Sequence, residues 1–116
     1  MTFPFPKEQR LRQRERIAAL SSKGISLFKY PLKAYYMPGE AAVSRYAIAV
    51  PKKNFKRAVK RNLLKRRIRE ALRLNQAECL GSFCGDWLFV YVSKEICPYG
   101  VIAASVCEIL RKCAQQ

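Results

Sequence analysis

Residues 56 to 73, "KRAVKRNLLKRRIREALR", carry nine lysine or arginine side chains against one carboxylate, Glu70. A helix built for solubility interleaves the two signs, and this one does not. At 100° per residue, Leu64, Ile68, Ala71 and Leu72 share one face and would dock on a sheet. Asn62, Lys65, Arg66, Arg69 and Arg73 share another face, with Arg61 at its margin. Arg57, Arg61, Lys65, Arg69 and Arg73 form an i, i+4 ladder of like charge, whose successive pairs together cost on the order of 1–2 kcal/mol. Lys52, Lys53, Lys56 and Arg57 also crowd the positive end of the helix dipole, the wrong end for cations. A solvated charged face is the ordinary reading of such a stretch, yet it leaves both penalties standing. Bound phosphate relieves both, because it accepts hydrogen bonds from backbone N–H groups and side-chain cations together. The helix reads as a phosphate-binding element.

Other reactive chemistry is sparse. The chain has no histidine, a single aspartate, Asp86, and seven scattered glutamates: Glu8, Glu15, Glu40, Glu70, Glu78, Glu95 and Glu108. Metal-dependent protein nucleases need two or more convergent carboxylates, which distant residues could still supply in space. Glu70 reads instead as an ion-pair partner for neighbouring arginines. The cysteines, Cys79, Cys84, Cys97, Cys107 and Cys113, are odd in number and show no C-x2-C spacing. They read as reduced and mostly buried thiols, and no protein metal site is expected.

The elements that must position the basic helix come next. At 116 residues, half of them apolar, the chain reads as one domain, 1–116, with a real core. Its net charge of +15 and sequence pI near 10.1 fit a polyanionic partner. Nucleic acid is favoured over an anionic membrane, since the apolar face of the helix offers Leu, Ile and Ala rather than Trp or Phe. No apolar run is long enough for a membrane span, and the first residues lack the apolar stretch of a signal peptide. A cytoplasmic protein with no membrane partner is expected.

Residues 7 to 20 suggest a short amphipathic helix closed by Ser21, Ser22 and Gly24. Residues 27 to 37 look like a strand, with Pro31 demoting one end to an edge or bulge. Beyond it Leu32, Ala34 and Tyr36 face one way, and Lys33 and Tyr35 the other. Pro38-Gly39 supplies turn chemistry. Residues 45 to 50 alternate, with Tyr46, Ile48 and Val50 on the larger apolar face and Arg45, Ala47 and Ala49 on the smaller. The basic helix should run from about residue 56 to 77 with Asn54 as its N-cap, followed by a loop over 79 to 85. Residues 86 to 93, apolar on both faces, predict a central strand. Pro98 opens a last helix with Val101, Ala104 and Ile109 buried. The order is helix, two or three strands, helix, strand, helix: a single α+β two-layer sandwich with a central mixed sheet, the basic helix crossing over between two strands.

The fine pattern of that helix is more specific than its charge. "AVKRNLLKRRIRE", residues 58 to 70, resembles the signature of the protein subunit of bacterial ribonuclease P, A-V-x-R-N-R-x-K-R-x-x-R-E. The matching residues are Ala58, Val59, Arg61, Asn62, Lys65, Arg66, Arg69 and Glu70. "AIAVPKK", ending in Lys52-Lys53, and "FPKEQRL" near the start resemble the segments that precede it in the family. The resemblance covers residues 3 to about 113, in order. It departs at Leu63, where the family has arginine and where neighbouring Arg67 offers a substitute. It departs again at Ile17 and Ser21, where family members often carry aromatic side chains.

The resemblance implies a non-catalytic protein subunit of a ribonucleoprotein endoribonuclease. In that family the protein binds a large catalytic RNA, and the RNA, with Mg2+ held mainly by itself, removes the 5′ leader from precursor tRNA. RNA binding would fall to Lys52, Lys53, Lys56, Arg57, Arg61, Asn62, Lys65, Arg66, Arg69 and Arg73. The leader would lie against Ile17, Lys33, Tyr35, Lys65 and Arg69, with no catalytic and no metal-binding residue in the protein. The family fold also implies a left-handed β-α-β crossover, as in the second domain of a small-subunit ribosomal protein, against the usual right-handed rule. One monomeric protein per RNA is expected. Composition and fold class by themselves leave open a structural RNA-binding protein of the ribosome or a nonspecific DNA-binding protein.

Overall fold

A computed structural model describes residues 9–39, 44–80 and 84–114. Its elements are α1 (Arg14–Lys23), β1 (Ile25–Lys29), β2 (Leu32–Met37), β3 (Arg45–Ala49), α2 (Ala58–Leu80), β4 (Asp86–Tyr91) and α3 (Tyr99–Ala114). The strands form one mixed sheet in the order β1-β2-β4-β3. β1 and β2 are antiparallel, as are β2 and β4, while β3 and β4 run parallel and are joined through α2. The expected α+β sandwich with the basic helix in a parallel crossover is what the chain forms.

β4 is central, and its alternation explains why both of its faces are apolar. Trp87, Phe89 and Tyr91 point into the main core with Ala34, Tyr46, Leu64, Ile68, Leu72 and the buried face of α3. The rings interlock: Tyr46 stacks on Trp87 with centroids 5.4 Å apart, and Phe55 meets Tyr91 at 5.7 Å. Leu88 points to the opposite face, where it packs with Leu11, Leu20 and Ala47 beneath α1. Gly85 admits Tyr36 at the start of β4, since a Cβ there would lie 2.1 Å from the tyrosine ring.

Several boundaries differ from the sequence reading, each for a local reason. The first helix begins at Arg14, because residues 10–13 run extended beside β3, where the Leu11 N–H donates to the Tyr46 carbonyl at 2.9 Å. Ser21 and Ser22 lie inside the helix, their hydroxyls donating to the Ala18 carbonyl, and Gly24 ends it by donating to the Leu20 carbonyl at 2.9 Å. The part of that expected helix at residues 7 and 8 lies outside the described residues, as do residues 40–43 after the Pro38-Gly39 turn. The strand expected over residues 27 to 37 is a hairpin folded at Tyr30-Pro31, so Pro31 sits in a turn where no ladder N–H is needed.

α2 starts at Ala58, two residues later than expected, and Asn54 is not its N-cap. The Asn54 N–H turns back to the Pro51 carbonyl at 3.2 Å, within a tight turn over residues 52–54. The helix also runs on through Cys79 and Leu80, both buried, into what was expected to be loop. In α3, Val101 and Ala104 are exposed; Ile102, Ser105, Val106, Ile109, Leu110 and Cys113 make the buried stripe. All five cysteines are free, three of them buried, and burial pushes the Cys113 thiol up to about 11, which keeps it protonated and unreactive.

One polar contact ties α1 to the sheet. Asp86 is fully buried, and both of its oxygens accept from Arg45, Nε at 2.9 Å and Nη2 at 2.8 Å. Arg16 of α1 donates to it from the other side, Nε to Oδ2 at 2.8 Å. Burial alone would raise the Asp86 carboxyl, but the hydrogen bonds and charges of Arg45 and Arg16 outweigh it and hold the group below the ordinary aspartate value. A depressed carboxylate contributes stability that is present above its unfolded value and is lost as pH falls through the folded one. Asp86→Asn should therefore cost about 3 kcal/mol at pH 7, leaving two arginines facing a neutral amide. Denaturant melts should show that difference shrinking as pH drops below about 4; a difference constant from pH 7 to pH 3 would refute the ion-pair account.

Candidate nucleic-acid interface

Two basic surfaces are built on α2. The first is a cleft of about 280 Å³ between residues 10–12, α1, β3 and α2, whose lining includes Arg10, Leu11, Arg12, Ile17, Ala47 and Arg69. Leu11 is buried on the sheet, so the flanking Arg10 and Arg12 are left at the cleft wall. Opposite them stands Arg69. Burial and then the charge of Arg10 both push the Arg69 guanidinium below its ordinary value, although it stays charged. Among the described residues no carboxylate pairs with Arg10, Arg12 or Arg69. Like charges facing across an apolar-floored cleft make a site for an anion.

The floor continues along the face of the sheet that carries α1. Tyr35 is half-buried against the Leu11, Leu20, Ala47 and Leu88 cluster, and the Lys33 ammonium lies 5.2 Å from the centre of its ring. Of the five expected leader contacts, the structure brings Ile17 and Arg69 into the cleft and sets Lys33 and Tyr35 farther along the same face. Lys65 stands one turn from Arg69 on α2, outside the cleft wall.

The second surface is a concavity of about 610 Å³ at the start of α2, lined by Lys53, Lys56, Arg57, Lys60 and Lys94 among others. No acidic residue occupies the first turn of α2. Hydrogen bonds hold the loop bearing Lys94 in place, among them one from the Glu95 N–H to the Ser93 hydroxyl at 3.0 Å. Tyr91 donates to the Glu95 carbonyl, the Cys97 N–H donates to the Tyr91 hydroxyl at 3.0 Å, and Arg67 donates to the Cys97 carbonyl at 2.7 Å. That last contact gives Arg67 a structural task, so it is not a ready substitute for the family arginine at Leu63.

The ladder of like charge is thus less uniform than its spacing suggests. Arg57 precedes the helix. Arg61 reaches back and donates through Nη1 to the Phe55 and Lys56 carbonyls at 2.7 and 2.8 Å, fastening the chain as it enters α2. Arg73 pairs with Glu70, whose carboxyl its hydrogen bond lowers, as the sequence suggested for Glu70. Lys65 and Arg69 are the ladder pair in which neither member is compensated among the described residues. Lys52, Lys53, Lys56, Asn62 and Arg66 are exposed and available.

Arg10, Arg12, Lys60 and Lys94 were missed. A basic-apolar-basic alternation at residues 10 to 12 was the signal for the first two, hidden by reading the segment as helix. Lys94 has no local signal, since only the tertiary hydrogen bonds of its loop bring it to α2. As for magnesium, the donor set among the described residues does not fit a protein site. Asp86 and Glu70 are committed to arginines, and no group of three His, Cys, Asp or Glu that could hold an ion occurs among the described residues. No described helix is long and apolar enough to cross a membrane.

Known proteins share both pattern and fold. A ribonuclease P protein component of Porphyromonas gingivalis is 44% identical over 78 residues, covering 65% of this chain and 57% of that protein. One from Desulfatibacillum aliphaticivorans is 41% identical over 75 residues, covering 65% and 63%. The matches thus span less than two thirds of those relatives. In three dimensions the chain resembles a Staphylococcus aureus RNase P protein, with a TM-score of 0.79 at 23% identity over 92% of this chain and 89% of that one. The Thermotoga maritima RNase P protein gives 0.77 at 24% identity over 89% and 96%. At such identities these two similarities speak for the fold alone. The family model described as Ribonuclease P matches residues 5–113, and the chain belongs to that family.

Proposed function

We propose that this chain is the protein component of a ribonuclease P. It binds the catalytic RNA through the start and exposed face of α2, and holds the 5′ leader of precursor tRNA along the cleft and the sheet face. The observation that carries this reading is the convergence of Arg10, Arg12 and Arg69, with no carboxylate partner among the described residues, on a cleft floored by Ala47 and Ile17. Such a cleft fits single-stranded RNA, whose phosphates meet the arginines while its bases lie against the apolar floor. The lysines around the mouth of α2 suit the backbone of a folded RNA, because phosphate there also meets the positive end of the helix. The comparisons give no support to a structural role in the ribosome.

In this reading the chemistry belongs to the RNA, with magnesium held there, and one protein serves one RNA in the cytoplasm. The protein's share is electrostatic. It neutralises phosphates where the RNA and the leader approach each other, and it orients the leader on a rigid face. Purified protein should leave precursor tRNA intact, while adding the cognate RNA and magnesium should give accurate cleavage at the 5′ end. Magnesium-dependent cleavage by RNA-free protein would overturn this division of labour.

Lys65→Ala with Arg66→Ala should weaken RNA binding and flatten its salt dependence, each lost phosphate contact removing roughly 0.7–0.9 from the slope of log K against log salt. A salt titration with unchanged slope would remove these side chains from the phosphate interface. Tyr35→Ala should weaken the holoenzyme's affinity for precursor tRNA by about 1–3 kcal/mol, the worth of one stacked base, and leave mature tRNA unaffected. Equal loss for both ligands would make Tyr35 a packing residue only.

A further inference from the structure

The sheet face that carries α1 is only partly roofed. Beyond the row of Met37, Asp86 and Arg45, two more rows of side chains cross it. One runs Ser26, Tyr35, Leu88, Ala47, and the other Phe28, Lys33, Val90, Ala49. Leu11, Ile17 and Leu20 pack over the first row, while the second lies beside it. At its outer end Phe28 is 58% exposed, on the edge strand of the sheet. Its neighbour Leu27 is buried in the main core and Lys29 pairs with Glu108 of α3, so the pleat turns Phe28 to the α1 side.

An exposed aromatic on an edge strand is a liability that folded proteins usually cover. Nothing in the described residues covers this one. Its direct cross-strand partner is Lys33, which has no carboxylate partner among the described residues, and Tyr35 is its diagonal neighbour. An aromatic face, a cation and a second aromatic therefore follow one another along the face that begins at the Arg69 cleft. α1 itself, RERIAALSSK, contributes no aromatic side chain to that cleft.

We propose that Phe28 and Lys33 form a second nucleotide position, in which Phe28 stacks on an unpaired base and Lys33 meets the adjoining phosphate. Its occupant is the distal part of the same single strand that the cleft holds, so the inference rests on the leader-binding reading above. Charge argues for this occupant over a second copy of the chain, because a protein of net charge +15 repels itself across an uncompensated face. Stacking needs only a π-face, so the position would be tolerant of base identity.

The test uses the reconstituted holoenzyme and precursor tRNAs with leaders of two lengths, one ending within the cleft and one extended by several nucleotides. Phe28→Ala should weaken binding of the long-leader substrate by about 5- to 100-fold and leave the short-leader substrate and mature tRNA unchanged. Phe28→Trp should keep wild-type affinity, and its fluorescence should be quenched by the long leader alone; the native Trp87 is fully buried and serves as the background. Wild-type preference for the long leader with unchanged binding by Phe28→Ala would overturn the second position and leave the leader reading intact. Wild-type holoenzyme that binds precursor no better than mature tRNA would overturn both. Self-association that Phe28→Ala abolishes, with leader affinity unchanged, would reassign the surface to a second copy.

Discussion

Asp86 is the contact on which the geometry of the cleft depends. It is the chain's sole aspartate, fully buried, and it binds Arg45 of β3 and Arg16 of α1 at once. α1 buries only Leu20 completely among its own residues, which is little apolar area to hold a helix on a sheet. The Arg16–Asp86 bond supplies a directional tie where packing is thin. Because Asp86 opens β4 beside Met37 and Arg45, the tie also fixes which end of the sheet α1 covers. The far row, with Lys33 and Phe28, stays open for that reason.

A chain with 23 basic and 8 acidic residues must place its cations without driving the fold apart. The structure does so by dividing the arginines. Arg16, Arg45, Arg61, Arg67 and Arg73 are spent on carboxylates or backbone carbonyls, where they fasten loops and helix ends. Arg10, Arg12, Arg66 and Arg69 have no such partner among the described residues. Guanidinium suits both tasks, since its planar fork can satisfy several acceptors in one direction. Lysine gathers at the mouth of α2, where a compact point charge would meet a phosphate backbone without demanding one geometry.

Much of this was legible in the sequence. The strict pleat of residues 45 to 50 and the two-faced apolarity of 86 to 91 located the core, and the 3.6-residue spacing of Leu64, Ile68 and Leu72 oriented α2. The signature from Ala58 to Glu70 carried the family. What failed was whatever depends on partners distant in sequence. Residues 10–13 have helix-like composition but lie flat because β3 offers a free edge to Leu11. Arg61 also bonds the Phe55 carbonyl, a contact that periodicity cannot see. Val101 looked buried because it is apolar, although the stripe facing α2 is set by Ile102, Val106 and Ile109.

α2 also acts as a ruler. Lys60 lies in its first turn at the lysine-rich mouth, and Arg69 lies nine residues on at the cleft, about 14 Å along the axis. A rigid helix buried along one side cannot change that separation, so in the proposed reading RNA bound at the mouth would meet the cleft at a fixed distance. In the proposed reading, rigidity of this kind is what the protein would add to a reaction carried by RNA. It would lower the entropy cost of bringing the leader and the RNA body together, and would screen their mutual repulsion at the same place. Leu64, Ile68, Ala71 and Leu72 face inward on the same turns from which Lys65, Arg66 and Arg69 face out, so the side chains proposed to bind and those that hold the helix on the core are parts of one device.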